Sequence, residues 1–398
     1  MTLLVDRRKE MGAAPGLHAL IVGIGQYLFL PDPGAPASVA QFRLTRVNGP
    51  AVSAFRLAAQ LQALPPGAAL VRPLKTLRLL LAPTAADRAA EPGLVNWNDP
   101  APDLKTTRQA ATDWRQDCQA SDNEAALFFF AGHGLRFQGD DCLVLADFGE
   151  GATTDNMSLA QCVKRDRVME AMSGPAQGEV AIARQQFWFV DACRNNVGDD
   201  RPGEVSPPVD LLPPRREDGR RQAIGGLAST ASGAAAFAVD QGGGTSFGAA
   251  LLKALRGALG EAAPWPPEDH AAPDLWPINV ATLQQAIERH LGRDPRTSDQ
   301  LPGLLGSSMS YPLVLFDARP TVDLRIRVRP PRLPTTIGSL LLQDPADATA
   351  QSRTLCPIDP NPKSFTAVAG HYLVDYVTDG KPGRKIWFAS LASDELVL

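Results

Sequence analysis

Two stretches decide how this chain folds. One is Ala125-Ala-Leu-Phe-Phe-Phe-Ala131, which runs straight into Gly132-His133-Gly134. The other is Gln186-Phe-Trp-Phe-Val190, which runs into Asp191-Ala192-Cys193-Arg194. Each is a short, wholly apolar run, and each stops at a reactive side chain. Runs of that length and texture read as strands buried on both faces. The same texture recurs at His18–Ile24 and Leu77–Leu81. Helical spacing lies between them, with Val52, Phe55, Leu57, Ala58 and Leu61 over 50–63, a helix from Thr106 or Thr107 to about Gln119, and another near 159–172. Strands alternating with helices, each strand nearly all apolar, mean a parallel sheet covered on both sides. Residues 83–103, with four prolines, read as loop.

The periodicity stops at 198–222, where 25 residues hold five prolines, five arginines and six acids. That composition reads as an exposed linker open to proteolysis. Beyond it, strand texture returns at 223–229 and 234–239. Ser246 is placed to cap a helix through Leu255, a second helix follows at 280–291, and Tyr311–Phe316 reads as a last strand. After Pro320, Val322–Val328 and His371–Val377 alternate with period two and helix signals vanish, which predicts a small antiparallel β-domain over 320–398.

Composition excludes several functions. With 39 Lys+Arg against 43 Asp+Glu there is no global basic field for nucleic acid. No run of 18 apolar residues is present, so no membrane span is expected. The five cysteines, at 118, 142, 162, 193 and 356, contain no C-x-x-C pair and fit a reducing, cytoplasmic compartment. Arg7-Arg8-Lys9 before Leu17–Leu30 also resembles a secretory signal, but His18, Gly23, Gly25 and Gln26 interrupt the apolar stretch. Gly23-Ile-Gly25 lacks the third glycine of a dinucleotide fingerprint. The other four cysteines read as inert, and His18, His270, His290 and His371 as surface or satisfied core, with no metal spacing and no cofactor expected.

His133 and Cys193 carry the chemistry. In an open parallel sheet, ligands bind beyond the carboxyl ends of the strands. If the two strands are neighbours, His133 and Cys193 meet across one crevice. A thiol beside an imidazole is the pairing that nucleophilic acyl transfer requires, because thiolate attacks and imidazole moves the proton. Gly134, without a Cβ, lets its N–H approach a substrate and hold an oxyanion together with the N–H of Cys193.

Gly-His-Gly after one aromatic-rich strand and Asp-Ala-Cys-Arg after a second resemble the caspase-like cysteine peptidases, most nearly the bacterial metacaspase and paracaspase branch. The resemblance covers about residues 17–317. It implies a three-layer α/β/α sandwich with a mostly parallel central sheet, to which the C-terminal β-domain is appended. It also implies an N-terminal extension (1–16), a large-subunit half (17–197), an activation linker (198–222) and a small-subunit half (223–319). Caspases place histidine about 50 residues before Q-A-C-[RQG]-G. Here 60 residues separate the two, and Asp191 and Asn195 replace the Gln and the last Gly.

In metacaspases and paracaspases an Asp two residues before the nucleophile lines the pocket for Arg or Lys, and Asp191 falls on that position. The resemblance therefore implies a protein substrate with Arg or Lys before the scissile bond, the fork of Arg suiting a carboxylate best. Two family acids are missing: Val52-Ser53 stands for Asn-Asp in the first helix, and Ser232–Ala238 holds no acid, which leaves Asp240 as a substitute. Arg46 lies near the place where true caspases put a basic residue that reads aspartate, so an Asp-specific peptidase is the alternative. A non-catalytic scaffold and a hydrolase acting on non-peptide substrates are others. The linker offers Arg215-Arg216 and Arg220-Arg221 against Asp199, Asp200, Asp210 and Asp218 for maturation by the enzyme itself or an upstream protease. Some relatives need calcium. Relatives also suggest regulated proteolysis in stress, antiviral defence or programmed death.

Overall fold

The computed structural model describes residues 2–36, 42–153, 157–174, 180–193, 195–196, 205–215, 223–229, 243–257 and most of 275–317, with backbone strands between 321 and 397. Two compact units emerge. The first takes residues 1–64, 70–252 and 291–313, and the second 65–69, 253–290 and 314–398.

The first unit is built on a seven-stranded sheet. Its strands are β1 (Leu3–Asp6), β2 (Leu17–Ile24), β3 (Leu74–Ala82), β4 (Ala125–Ala131), β5 (Gln185–Asp191), β6 (Ala223–Ala228) and β7 (Gly303–Gly306), in the order β1-β3-β2-β4-β5-β6-β7. The five inner strands are parallel, and the edge strands β1 and β7 are antiparallel to their neighbours. Every residue of β2, β3 and β4 is buried, as continuous apolar runs require.

Strand alternation sorts those side chains to two faces. Leu20, Val22, Phe128, Phe130, Trp188 and Val190 share one core with Ala110, Ala111 and Trp114 of helix α2 (Leu104–Asp117). Trp114 sits edge-on to Trp188 at 6.0 Å, and its Nε1–H donates to the His18 carbonyl at 2.9 Å. The opposite parity (Ala19, Ile21, Phe129, Phe189) belongs to the other face, with helix α1 (Pro50–Gln62) and its buried Ala51, Ala54, Leu57, Ala58 and Leu61. His18 is a core residue, with Nδ1 2.7 Å from Thr76 Oγ1 and Nε2 3.3 Å from Glu124 Oε2.

Three expectations need correction. Residues 83–103 are not all loop: Ala85–Ala90 is helical, because Thr84 and Asp87 form a capping box. The prolines downstream hid that box. Asp87 also accepts the Gly49 N–H at 2.7 Å, and Gly49 holds φ 105°, so this buried carboxylate fixes the turn into α1. Helix α2 starts at Leu104, since Asp103 rather than a threonine supplies the cap, accepting from Thr106 N at 2.7 Å. In the 159–172 region the helix α3 covers only Arg165–Ala171, after a short strand at Cys162–Lys164.

The linker reading is narrowed as well. Within 198–222, residues 205–215 are docked through Pro208, Leu211 and Leu212, which are buried, while Ser206, Pro207, Asp210, Pro213 and Pro214 are exposed. Val205–Ser206 pairs with Met157–Ser158, and Val209 bridges to Val163. Arg108 donates to the carbonyls of Asp210 (3.2 Å) and Leu211 (3.4 Å), and Arg115 to that of Pro213 (2.9 Å). A single Leu-Leu pair between prolines has no period to read, yet it buries enough apolar surface to hold the segment. Arg216, Arg220, Arg221, Asp199, Asp200 and Asp218 lie outside the described residues.

In the second unit the helix Val280–Leu291 starts with a reciprocal pair: Asn279 Oδ1 accepts from Thr282 N, and Thr282 Oγ1 accepts from Asn279 N, both at 3.0 Å. Past residue 320 only strands occur among the described residues. Thr321–Arg327 pairs antiparallel with Lys363–Val368, Ser339–Leu342 with Gln351–Thr354, and Gly370–Thr378 with Lys381–Ala389. Among the described residues no helix is long and apolar enough to cross a membrane.

Candidate active site

Strands β4 and β5 are paired in parallel with a constant offset, from Ala125 opposite Gln185 to Ala131 opposite Asp191. Beyond the sheet the two chains stay together, with Leu135 opposite Asn195 and Arg136 opposite Asn196. The offset of 60 is the same before and after, so His133 and Cys193 occupy matched positions on neighbouring chains, where strands run about 4.8 Å apart. Gly132 N donates to Asp191 O at 3.0 Å and closes the gap between the two pairings. The parallel sheet thus delivers imidazole and thiol to one rim, at the carboxyl ends of its central strands.

His133 is held at every polar atom of its backbone. Its N–H donates to Tyr27 Oη at 2.7 Å, and its carbonyl accepts from Val144 N at 3.0 Å. The Tyr27 ring lies 5.0 Å from the imidazole, tilted by 36°. Nε2 is 2.6 Å from the carbonyl oxygen of Thr45. A carbonyl only accepts, so Nε2 carries the proton and Nδ1 the lone pair. Burial pushes this imidazole down to about 4, against which the Thr45 carbonyl acts weakly. At pH 7 the ring is therefore neutral, a base ready to take the thiol proton as attack proceeds. Tyr27 and Thr45 were invisible in the sequence, lying in connections with no motif.

Cys193 is buried at the end of the β5 extension. None of the described cysteines forms a disulfide. Gly134 packs directly on it: a Cβ there would collide with the Cys193 carbonyl oxygen and lie 3.0 Å from Ala192 Cβ. Only glycine allows the two chains to approach so closely. Gly134→Ala is expected to displace Cys193 and cut kcat by roughly 10²-fold. Peptide hydrolysis together with a thermal melt checks this, since a fully active variant would show that the contact does not set the site.

Asp191 ends β5 completely buried. Thr245 Oγ1 donates to Asp191 Oδ2. Among the described residues, Asp191 Oδ1 and Ser229 Oγ are buried without a hydrogen-bond partner. Burial pushes the carboxyl up to about 6, and the Thr245 hydroxyl acts against that rise. Arg46 is placed elsewhere: its Nε donates to the Tyr27 carbonyl at 3.1 Å, and Nη1 pairs with Asp32 at 2.6 Å. Asp240 and the 232–238 segment lie outside the described residues. Among the described residues no group of three or more His, Cys, Asp or Glu is placed to hold a metal ion.

The family profile described as "Caspase domain" matches residues 91–268. A curated relative, the uncharacterized protein y4kE of Sinorhizobium fredii (strain NBRC 101917 / NGR234), is 24% identical over 279 residues, spanning 68% of this chain and 73% of that protein. Among solved structures, caspase-1 from Spodoptera frugiperda matches with 13% identity and a TM-score of 0.38, covering 74% of this chain and 88% of the other. Residues 91–268, with His133, Gly134, Asp191 and Cys193 among them, are the part of the chain that is similar to the caspase domain.

Proposed function

We propose that this protein is a cysteine endopeptidase that cleaves protein chains after Arg, and less well after Lys. The shared register of β4 and β5 supports the reading most directly, because it brings His133 and Cys193 to matched positions at one rim. Cys193 Sγ attacks the carbonyl carbon after the basic residue while His133 Nδ1 takes the thiol proton. The oxyanion is held by the N–H groups of Gly134 and Cys193, each such donor contributing about 3–4 kcal/mol in other hydrolases. His133 then returns its proton to the leaving amine, and water hydrolyses the thioester to regenerate the thiol. Asp191 receives the substrate cation through a charge-assisted hydrogen bond. Engagement of Arg46 by Asp32 and the Tyr27 carbonyl weighs against the aspartate-reading alternative. The absence of a disulfide among the described cysteines suits a reducing compartment such as the cytoplasm.

Fluorogenic peptide amides that differ only in the residue before the bond (Arg, Lys, Asp or Leu) test this. Arg should be hydrolysed fastest and Asp not at all. A preference for Asp or Leu would overturn the specificity.

The chain is proposed to mature by cleavage in the linker. The docked 205–215 segment pins the Asp210 carbonyl to Arg108, so cutting is expected after Arg216, Arg220 or Arg221. Sequencing the new N-terminus checks this. Wild type should be cut and Cys193→Ala should stay whole, and an uncut, fully active chain would defeat the zymogen reading.

A further inference from the structure

Behind Asp191 lies a chain of hydroxyls whose protons can run in only one direction. Ionised, Asp191 Oδ2 only accepts, so the Thr245 hydroxyl proton goes to it. With that proton committed, Thr245 Oγ1 accepts from the Gly248 N–H at 3.1 Å and from the Ser53 hydroxyl at 2.9 Å. Ser53 Oγ in turn accepts from the Thr245 N–H at 2.9 Å. All three residues are buried, Asp191 and Thr245 almost totally. Asp191 Oδ1 has no partner among the described residues.

We propose that Thr245 is a positioning residue for substrate recognition: with Ser53 behind it, its hydroxyl keeps Asp191 ionised and engages Oδ2, leaving Oδ1 as the oxygen that meets the substrate cation. This rests on the reading of Asp191 as the base of the specificity pocket. The physical need is plain. A carboxylate withdrawn from water favours its protonated form unless hydrogen-bond donors stabilise the charge. A protonated Asp191 would offer no attraction to a guanidinium. Aligned hydroxyls give that stabilisation without a second negative charge. The pocket then presents one carboxylate oxygen, and its affinity for the cation depends on how firmly Oδ2 is held.

Thr245 also sits at the residue before α4 (Ser246–Leu255), and its bond from Gly248 N is a helix cap. The experiment must separate the two roles. Thr245→Val keeps the shape and removes the hydroxyl, Thr245→Ser restores both cap and relay, and Ser53→Ala keeps the Thr245 hydroxyl and cap but removes the donor behind it, along with the acceptor of the Thr245 N–H. Steady-state cleavage of an Arg-amide peptide would be measured between pH 5 and 8.5, with the rate of Cys193 alkylation as a control for the nucleophile. Thr245→Val should raise KM about tenfold at pH 7 with kcat little changed, and move the acid limb of kcat/KM up by about one pH unit. Ser53→Ala should move both the same way by less, and Thr245→Ser should lie close to wild type.

A second readout needs no activity. The stability gained through Asp191→Asn should level off near pH 6 in the wild-type background and about one pH unit higher in the Thr245→Val background. A unitary drop in melting temperature at every pH, with the acid limb and the levelling point unmoved, would make Thr245 a cap alone and overturn the proposal. If Asp191→Asn itself keeps the preference for Arg, the pocket reading fails and the relay falls with it. If Asp191→Asn abolishes the preference while Thr245→Val behaves as wild type, only the relay is wrong.

Discussion

Cys193→Ala is expected to lower turnover of an Arg-amide peptide by about 10⁶-fold, the scale on which removing a nucleophile from a hydrolase acts. The residual rate would come from binding and the oxyanion donors alone. Folding should survive, because Cys193 is a small buried side chain outside any disulfide. His133→Asn should cost about 10²–10⁴-fold, since the thiol then loses its base. Both rates, read beside a thermal melt and labelling by a thiol-directed peptide probe, decide between an enzyme and a binding scaffold. Activity surviving Cys193→Ala would remove the sulfur from the mechanism. The pH profile should show His133 as well: with its imidazole held near 4 by burial, the base stays neutral and competent well below pH 6.

Asp191→Asn carries the second large effect, and it runs in opposite directions for function and stability. Losing the charge-assisted bond to the substrate cation should lower kcat/KM for Arg peptides by about 10²-fold, while peptides with an uncharged residue there change little. In wild type, kcat/KM for Arg peptides should fall below pH 6 as Asp191 protonates. For an uncharged residue the fall should wait until His133 titrates near 4. The stability effect follows from the same burial. The folded carboxyl titrates near 6 against 3.8 in the unfolded chain, so the folded state binds its proton more tightly. Stability is therefore lost as pH rises from about 4 to about 6, and the loss, on the order of 2–3 kcal/mol, is complete above that. Asp191→Asn should thus raise the thermal midpoint at pH 7 and leave it unchanged near pH 4. A variant that is less stable at pH 7 would mean that the carboxylate is a structural anchor.

The sequence by itself determined the layered parallel sheet, because unbroken apolar runs such as Ala125–Ala131 and Gln186–Val190 must be covered on both faces. It also placed His133 and Cys193 at strand ends, since each run stops abruptly at them. Local texture could go no further. That the two strands are neighbours in one register is a long-range pairing, and the offset of 60 is written in no local pattern. Tyr27, Thr45 and Thr245 act through hydrogen bonds made across the fold, two of them from connections where no periodicity marks a residue. The docked Leu211-Leu212 pair failed to show for the same reason: two apolar residues among prolines become a buried contact only when a partner surface is there to receive them. Strand burial is a property of a segment, whereas catalytic geometry and proton direction belong to pairs of segments, and only packing brings those together.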